Sequence, residues 1–86
     1  MNQVKYLTMT SEKQLILYND TEHDYNYVRA CLIKYCDHDF LQAEQCIIIV
    51  HNNGKCVIKQ GDIMDILPIE EALVKKGLLT KLISLN

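Results

Sequence analysis

The chain has 86 residues, 49 % of them apolar, and a formal charge of −2. Domains of about 100–200 residues leave room for only one here, the apolar content argues against disorder, and the weak acidity argues against a general grip on nucleic acid. The longest apolar run, Cys46-Ile47-Ile48-Ile49-Val50, falls far short of the ~20 residues that span a membrane. Met1-Asn2-Gln3-Val4-Lys5 has no apolar h-region, so no secretion signal is expected and the reading is cytoplasmic.

Residues 1–12 read as a flexible N-terminal arm, and residues 13–86 as a single domain. Gln14-Leu15-Ile16-Leu17-Tyr18 is rich in strand formers and predicts a strand. Asn19 to Asp24 bond their own backbone readily and predict a turn that ends in a helix cap. From Tyr25 to Cys36 the apolar positions Val28, Cys31, Leu32 and Tyr35 recur at helical spacing. Asp37-His38-Asp39 breaks that helix and supplies a second cap. Phe40, Ala43, Cys46, Ile47 and Val50 then line a second helix, which Asn53-Gly54 closes. Lys55 to Lys59 predicts a second strand. Gly61-Asp62 opens a third helix that runs to Lys75-Lys76 and stops at Gly77. Its interior Pro68 removes a donor and is expected to kink or split it. Leu78 to Leu85 predicts the last strand. The order is β-α-α-β-α-β: an α+β fold, with three strands covered on one face by helices in a two-layer sandwich.

Four cysteines stand at 31, 36, 46 and 56. None forms a Cys-x-x-Cys pair, so the common zinc and thioredoxin spacings are absent. Three lie among Val, Leu and Ile, where a free Cys acts as a small hydrophobe. No metal or cofactor is expected. The acidic clusters Asp20-Glu22-His23-Asp24 and Asp37-His38-Asp39 read first as helix-capping loops and only second as metal ligands. A thiol or metal enzyme has no signature to support it.

The candidate site is the loop from Asn19 to Asp24 together with His51. Asp20, Glu22 and Asp24 make the loop negative, Asn19 adds a neutral acceptor, and a neutral His51 adds an acceptor nitrogen. If the two helices form a hairpin, these acceptors ring a groove lined by Val28, Ile47 and Val50. A cationic amine attached to a hydrophobic side chain suits such a site. On spacing alone, the same residues also read as a turn, a cap and a solvated helix end.

Leu17-Tyr18-Asn19-Asp20, the helix from Tyr25, and Ile49-Val50-His51-Asn52-Asn53-Gly54-Lys55 resemble the ClpS adaptor family. That family carries an Asn-Asp pair after its first strand and a Val-His-x-x-Gly-Lys run after its second helix. The interval from Asn19 to His51 matches without a gap, over a resemblance covering roughly residues 13 to 86. It implies a three-stranded antiparallel sheet. It also implies a non-enzymatic adaptor that binds bulky hydrophobic N-termini (N-degrons) and delivers their bearers to a Clp-family AAA+ ATPase. By position, Asn19, Asp20 and His51 would hold the peptide's α-amino group. His23 and Tyr25 would stand at the pocket rim, Val28, Ile47 and Val50 would line the pocket, and Leu79 would form its floor.

The chain departs from the family pattern at particular places. Where the family continues Asn-Asp-Asp-x-Thr-Pro-Met, this chain has Asn19-Asp20-Thr21-Glu22-His23-Asp24-Tyr25. A Met common in the second helix is Ile47, and branched Ile is stiffer than Met. Ile66-Leu67-Pro68-Ile69 replaces the Ala-Glu-Thr-Lys stretch associated with ATPase docking. These changes motivate an alternative expectation, an interaction module of the same fold with a remodelled pocket and a different partner.

Overall fold

The computed structural model describes residues 12–85, which form six elements. They are β1 (Glu12–Tyr18), α1 (Tyr25–Cys36), α2 (Phe40–Asn53), β2 (Lys55–Asp62), α3 (Ile63–Lys75) and β3 (Thr80–Ser84). The expected arm of residues 1–12 lies outside the described residues except for Glu12, which begins β1.

The strands form one antiparallel sheet in the order β2-β1-β3. Side chains alternate across a strand, so Leu15 and Leu17 of the central strand face the helices. They join Ile58, Leu32, Cys36, Ala43, Val50, Ile66 and Leu73 in one buried cluster. Ile16 points to the other face, yet is only 5 % exposed. Its neighbours across the sheet are Val57 and Lys81.

Polar caps set the helix limits. Asp24 accepts from the Tyr27 N–H at 2.9 Å and Asp39 from the Gln42 N–H at 2.7 Å. Asp62 accepts from the Met64 N–H at 2.8 Å. Each bond satisfies a donor that the first helical turn leaves without a partner. Gly54 closes α2 at φ 92°, and its N–H donates to the Val50 carbonyl at 2.8 Å. That backbone region favours glycine.

Four expectations need correction. β2 runs on to Asp62, so Gly61 and Asp62 end a strand before Asp62 caps α3. β3 is shorter than expected, because its pairing with β1 covers only Thr80–Ser84. α3 is not split at Pro68. Ile66 and Leu73, both fully buried, anchor the helix on either side of the missing donor. Phe40, expected on the core face of α2, is exposed, and its ring carries the Arg29 guanidinium at 4.6 Å instead.

A bulge interrupts the β1–β2 ladder. Leu15 pairs with Lys59 and Ile16 with Val57, so Ile58 has no partner in β1. The Ile58 carbonyl accepts instead from His38 Nε2 at 2.8 Å. A carbonyl can only accept, so this nitrogen carries the proton. His38 is 6 % exposed, and its Nδ1 is buried without a partner. The residue that reads as a linker between two helices therefore ties the α1–α2 junction to the bulge in the sheet.

Candidate functional site

Antiparallel pairing places the end of β1 beside the turn that leaves α2. Tyr18 stands opposite Lys55, and the Asn19 N–H donates to the Gly54 carbonyl at 3.0 Å. The loop after β1 is thereby fixed next to the last turn of α2. Between them opens a cavity of about 320 Å³. Leu17, Val28, Ile47, Ile48 and Val50 make its apolar wall, and Tyr18 and Tyr25 add aromatic faces. Asn19, Asp20, His23 and His51 bring the polar groups.

Eight of the nine sequence-derived residues thus line one cavity. The ninth, Leu79, does not: it is 53 % exposed and outside the cavity wall. Its backbone carbonyl instead accepts from the Tyr18 N–H at 2.9 Å. Leu79 precedes the first residue of β3 and meets the rim of the sheet through its backbone. Leu17 and Val50, both buried, form the deep wall.

Asp20 shapes its own loop. Oδ1 accepts from the backbone N–H groups of Glu22 at 2.9 Å and His23 at 3.1 Å. The His23 ring lies 3.3 Å from both carboxylate oxygens, and the Asp20 side chain is only 10 % exposed. Burial pushes the carboxyl upward, but the two backbone N–H bonds and the His23 ring outweigh it and hold Asp20 below the usual carboxylate range. Asp20 is therefore anionic at neutral pH. A depressed folded-state value adds stability above the unfolded-state value of about 3.9, and that stability is lost as pH falls through the folded value. Thermal melts of wild type and Asp20→Asn should accordingly converge as pH drops from 5 toward 3. An equal gap at both ends would remove Asp20 as the source.

His23 is wedged between two elements. Its ring stacks on Tyr27 with centroids 5.0 Å apart and planes 15° apart. The Tyr27 hydroxyl donates to the Lys76 carbonyl at 2.7 Å. Gly77 has φ 87°, and a Cβ there would lie 3.0 Å from His23 Nε2. Glycine suits that backbone angle, and a Cβ would require the His23 ring to give by a few tenths of an ångström. Gly77→Ala should lower stability by about 1–2 kcal/mol and shift the His23 ring resonances, read by urea melts and NMR. Unmoved His23 signals would show that the ring does not rest on Gly77.

Tyr25 is also held from outside the cavity. The Arg29 guanidinium sits 5.3 Å from its ring centroid, and reaches Asn26 Oδ1 at 2.8 Å and Glu44 Oε2 at 3.3 Å. Sequence reading missed Arg29, although its place one turn after Tyr25 is the spacing at which helix side chains meet. It also missed Ile48 and Tyr18. Ile48 falls off the helix face assigned to the core, and Tyr18 reads simply as the end of a strand.

Among the described residues, no three His, Cys, Asp or Glu side chains converge in a manner that could hold a metal ion. No helix among them is long and apolar enough to cross a membrane.

Residues 9–76 match the family model described as ATP-dependent Clp protease adaptor protein ClpS. The chain belongs to the ClpS family. No curated protein matches it. Among solved structures it is similar to Agrobacterium tumefaciens ClpS2 bound to L-phenylalaninamide, with a TM-score of 0.72 and 12 % identity. That match covers 87 % of this chain and 98 % of the other, and it shows that the two share a fold. ClpS proteins are adaptors of the Clp protease, and in this member Asn19, Asp20 and His51 line one cavity.

Proposed function

We propose that the protein is a cytoplasmic, non-catalytic adaptor that receives free N-termini beginning with a bulky hydrophobic residue. It passes the proteins that bear them to a Clp-family AAA+ ATPase for degradation. The observation that carries this reading is that Asn19, Asp20 and His51 line one cavity with the apolar side chains of Leu17, Val28, Ile47, Ile48 and Val50.

The chemistry is complementary on both counts. An α-ammonium group has three donors and a charge, and taking it out of water costs several kcal/mol unless acceptors replace the water. The Asn19 amide oxygen and a neutral His51 nitrogen are acceptors, and bonds from a charged donor are the stronger kind. Asp20 is committed to its loop by two backbone bonds, so it acts on the amine through its charge, directly or across a water. The apolar wall contributes about 25 cal/mol per Å² of side-chain surface buried, which favours Leu, Phe, Tyr or Trp over Ala or Ser. The ligand in the ClpS2 structure, L-phenylalaninamide, has the same two parts: a free α-amine and a large apolar side chain.

Fluorescence anisotropy with peptides beginning in free Leu, Phe, Tyr, Trp, Ile, Ala or Lys, alongside acetylated controls, tests this reading. Binding should be confined to free, bulky hydrophobic N-termini, because acetylation removes the charge and two donors. Equal binding of acetylated and free peptides would refute the amine site.

One feature favours a second reading for the partner. Leu67 and Pro68 are exposed on α3 where the family carries Ala-Glu-Thr-Lys, and Met64 beside them is 79 % exposed. An apolar α3 surface suits an interaction module with a different partner. Failure of every peptide, together with failure to co-elute with a Clp ATPase, would select it.

A further inference from the structure

Behind the cavity wall lies a pair of thiols. Cys46 on α2 and Cys56 on β2 bring their sulfurs to 3.1 Å, close enough for one thiol to donate to the other. Both also approach the Val57 carbonyl, at 3.9 and 3.4 Å. The other two cysteines, Cys31 and Cys36, are buried in the core cluster. A disulfide bond is about 2.05 Å long, so roughly 1 Å of sulfur movement separates the observed pair from a covalent one.

We propose that Cys46 and Cys56 are a redox-modification site, a dithiol that small hydroperoxides oxidise to an intramolecular disulfide. The two thiols differ in access. Cys46 is 7 % exposed, whereas Cys56 is half-buried at the start of β2. Burial, and then the neighbouring Cys56, push the Cys46 thiol up to about 12, so Cys46 remains protonated at neutral pH. Cys56 is the more accessible of the two sulfurs to a peroxide, which assigns the first step to it.

In that step the Cys56 thiolate attacks one peroxide oxygen. The O–O bond breaks, Cys56 becomes a sulfenic acid, and hydroxide leaves and is protonated to water. In the second step the Cys46 sulfur attacks the Cys56 sulfur. The S–S bond forms, the S–O bond breaks, and the departing hydroxide takes the Cys46 proton as a second water. Two thiols and one hydroperoxide yield one disulfide and two waters when the peroxide is hydrogen peroxide, so the peroxide is the two-electron oxidant. The bond staples α2 to β2 directly behind the cavity. Ile47 follows Cys46 in the chain, Leu17 pairs with Cys56 across the sheet, and both line the cavity. This inference stands on the sulfur geometry and is independent of what the cavity binds.

The test treats reduced wild-type protein with stoichiometric hydrogen peroxide, then unfolds and alkylates it for mass spectrometry. Intact mass should fall by about 2 Da before alkylation, and only two of the four cysteines should then take up alkyl groups. Non-reducing tryptic digestion should join the peptide containing Cys46 to the one beginning at Cys56, with Cys36 alkylated. A gain of about 32 Da on Cys56 (the sulfinic acid) with Cys46 still alkylated would overturn the proposal. So would a disulfide joining any other pair. In Cys46→Ala the sulfenic acid on Cys56 loses its resolving partner, so dimedone labelling of Cys56 should rise several-fold. Equal labelling of variant and wild type would count against it.

Discussion

Asn19→Ala and His51→Ala should each weaken binding of a peptide with a free hydrophobic N-terminus by about 1–3 kcal/mol, roughly 5- to 150-fold, while the fold survives. Neither side chain holds up the fold. Both residues are exposed, and the bond that fixes the Asn19 position is made by its backbone N–H to the Gly54 carbonyl. Truncating either side chain removes an acceptor and leaves an amine donor facing an apolar cavity. The loss arises from that orphaned donor, so it should fall on free N-termini and leave thermal stability within about 0.5 kcal/mol of wild type. Anisotropy titrations with a free Phe-initiated peptide, paired with urea melts, separate the two effects. If both variants bind as wild type does, the amine is held elsewhere.

The double variant sharpens this. If Asn19 and His51 bind the same ammonium, their losses should not simply add, because residues sharing one partner are coupled. Asn19→Ala in a His51→Ala background should therefore cost less, or more, than in wild type by at least about 0.5 kcal/mol. Strict additivity would mean that the two residues act on different parts of the ligand.

Much of this architecture was legible in the residues because several local rules agreed. Asp24, Asp39 and Gly54 sit where capping chemistry requires an acceptor or a left-handed residue, and each does that job. The spacing of Cys31 and Leu32 named the buried face of α1. The cavity was legible as well, since eight of nine proposed residues converge on it. What stayed hidden depends on contacts across the chain. Phe40 has the spacing of a core residue, but Arg29, eleven positions away, draws its ring to the surface. Leu79 looks like the apolar floor of a pocket, but its side chain is exposed and it meets the sheet through its carbonyl, which accepts from the Tyr18 N–H. Pro68 forecast a kinked or split helix, and the helix is not split, with Ile66 and Leu73 buried on either side of it. His38 is the extreme case, because its partner is a carbonyl released by a bulge that no local pattern announces.

His38 also carries the largest expected effect on stability. His38→Ala should cost about 2–4 kcal/mol, the sum of an orphaned buried carbonyl at Ile58 and the cavity left by the ring. That is a large share of the 5–15 kcal/mol typical of a whole domain, and a chain of this length sits toward the lower end. Two further variants separate the causes. His38→Leu refills the space without a donor, so about 1–3 kcal/mol should remain lost from the unpaired carbonyl. His38→Gln offers an amide N–H and should recover part of it. Urea denaturation midpoints at constant slope give the order: wild type, then Gln, then Leu, then Ala. If Leu proves as stable as wild type, the His38–Ile58 bond contributes nothing net, and the bulge is held by packing alone. The order also bears on the cavity, since β2 continues from the Gly54 turn that fixes Asn19, and the His38 bond pins β2 at its bulge. Loosening that bond should lower global stability first and weaken peptide affinity only in the variants that begin to unfold.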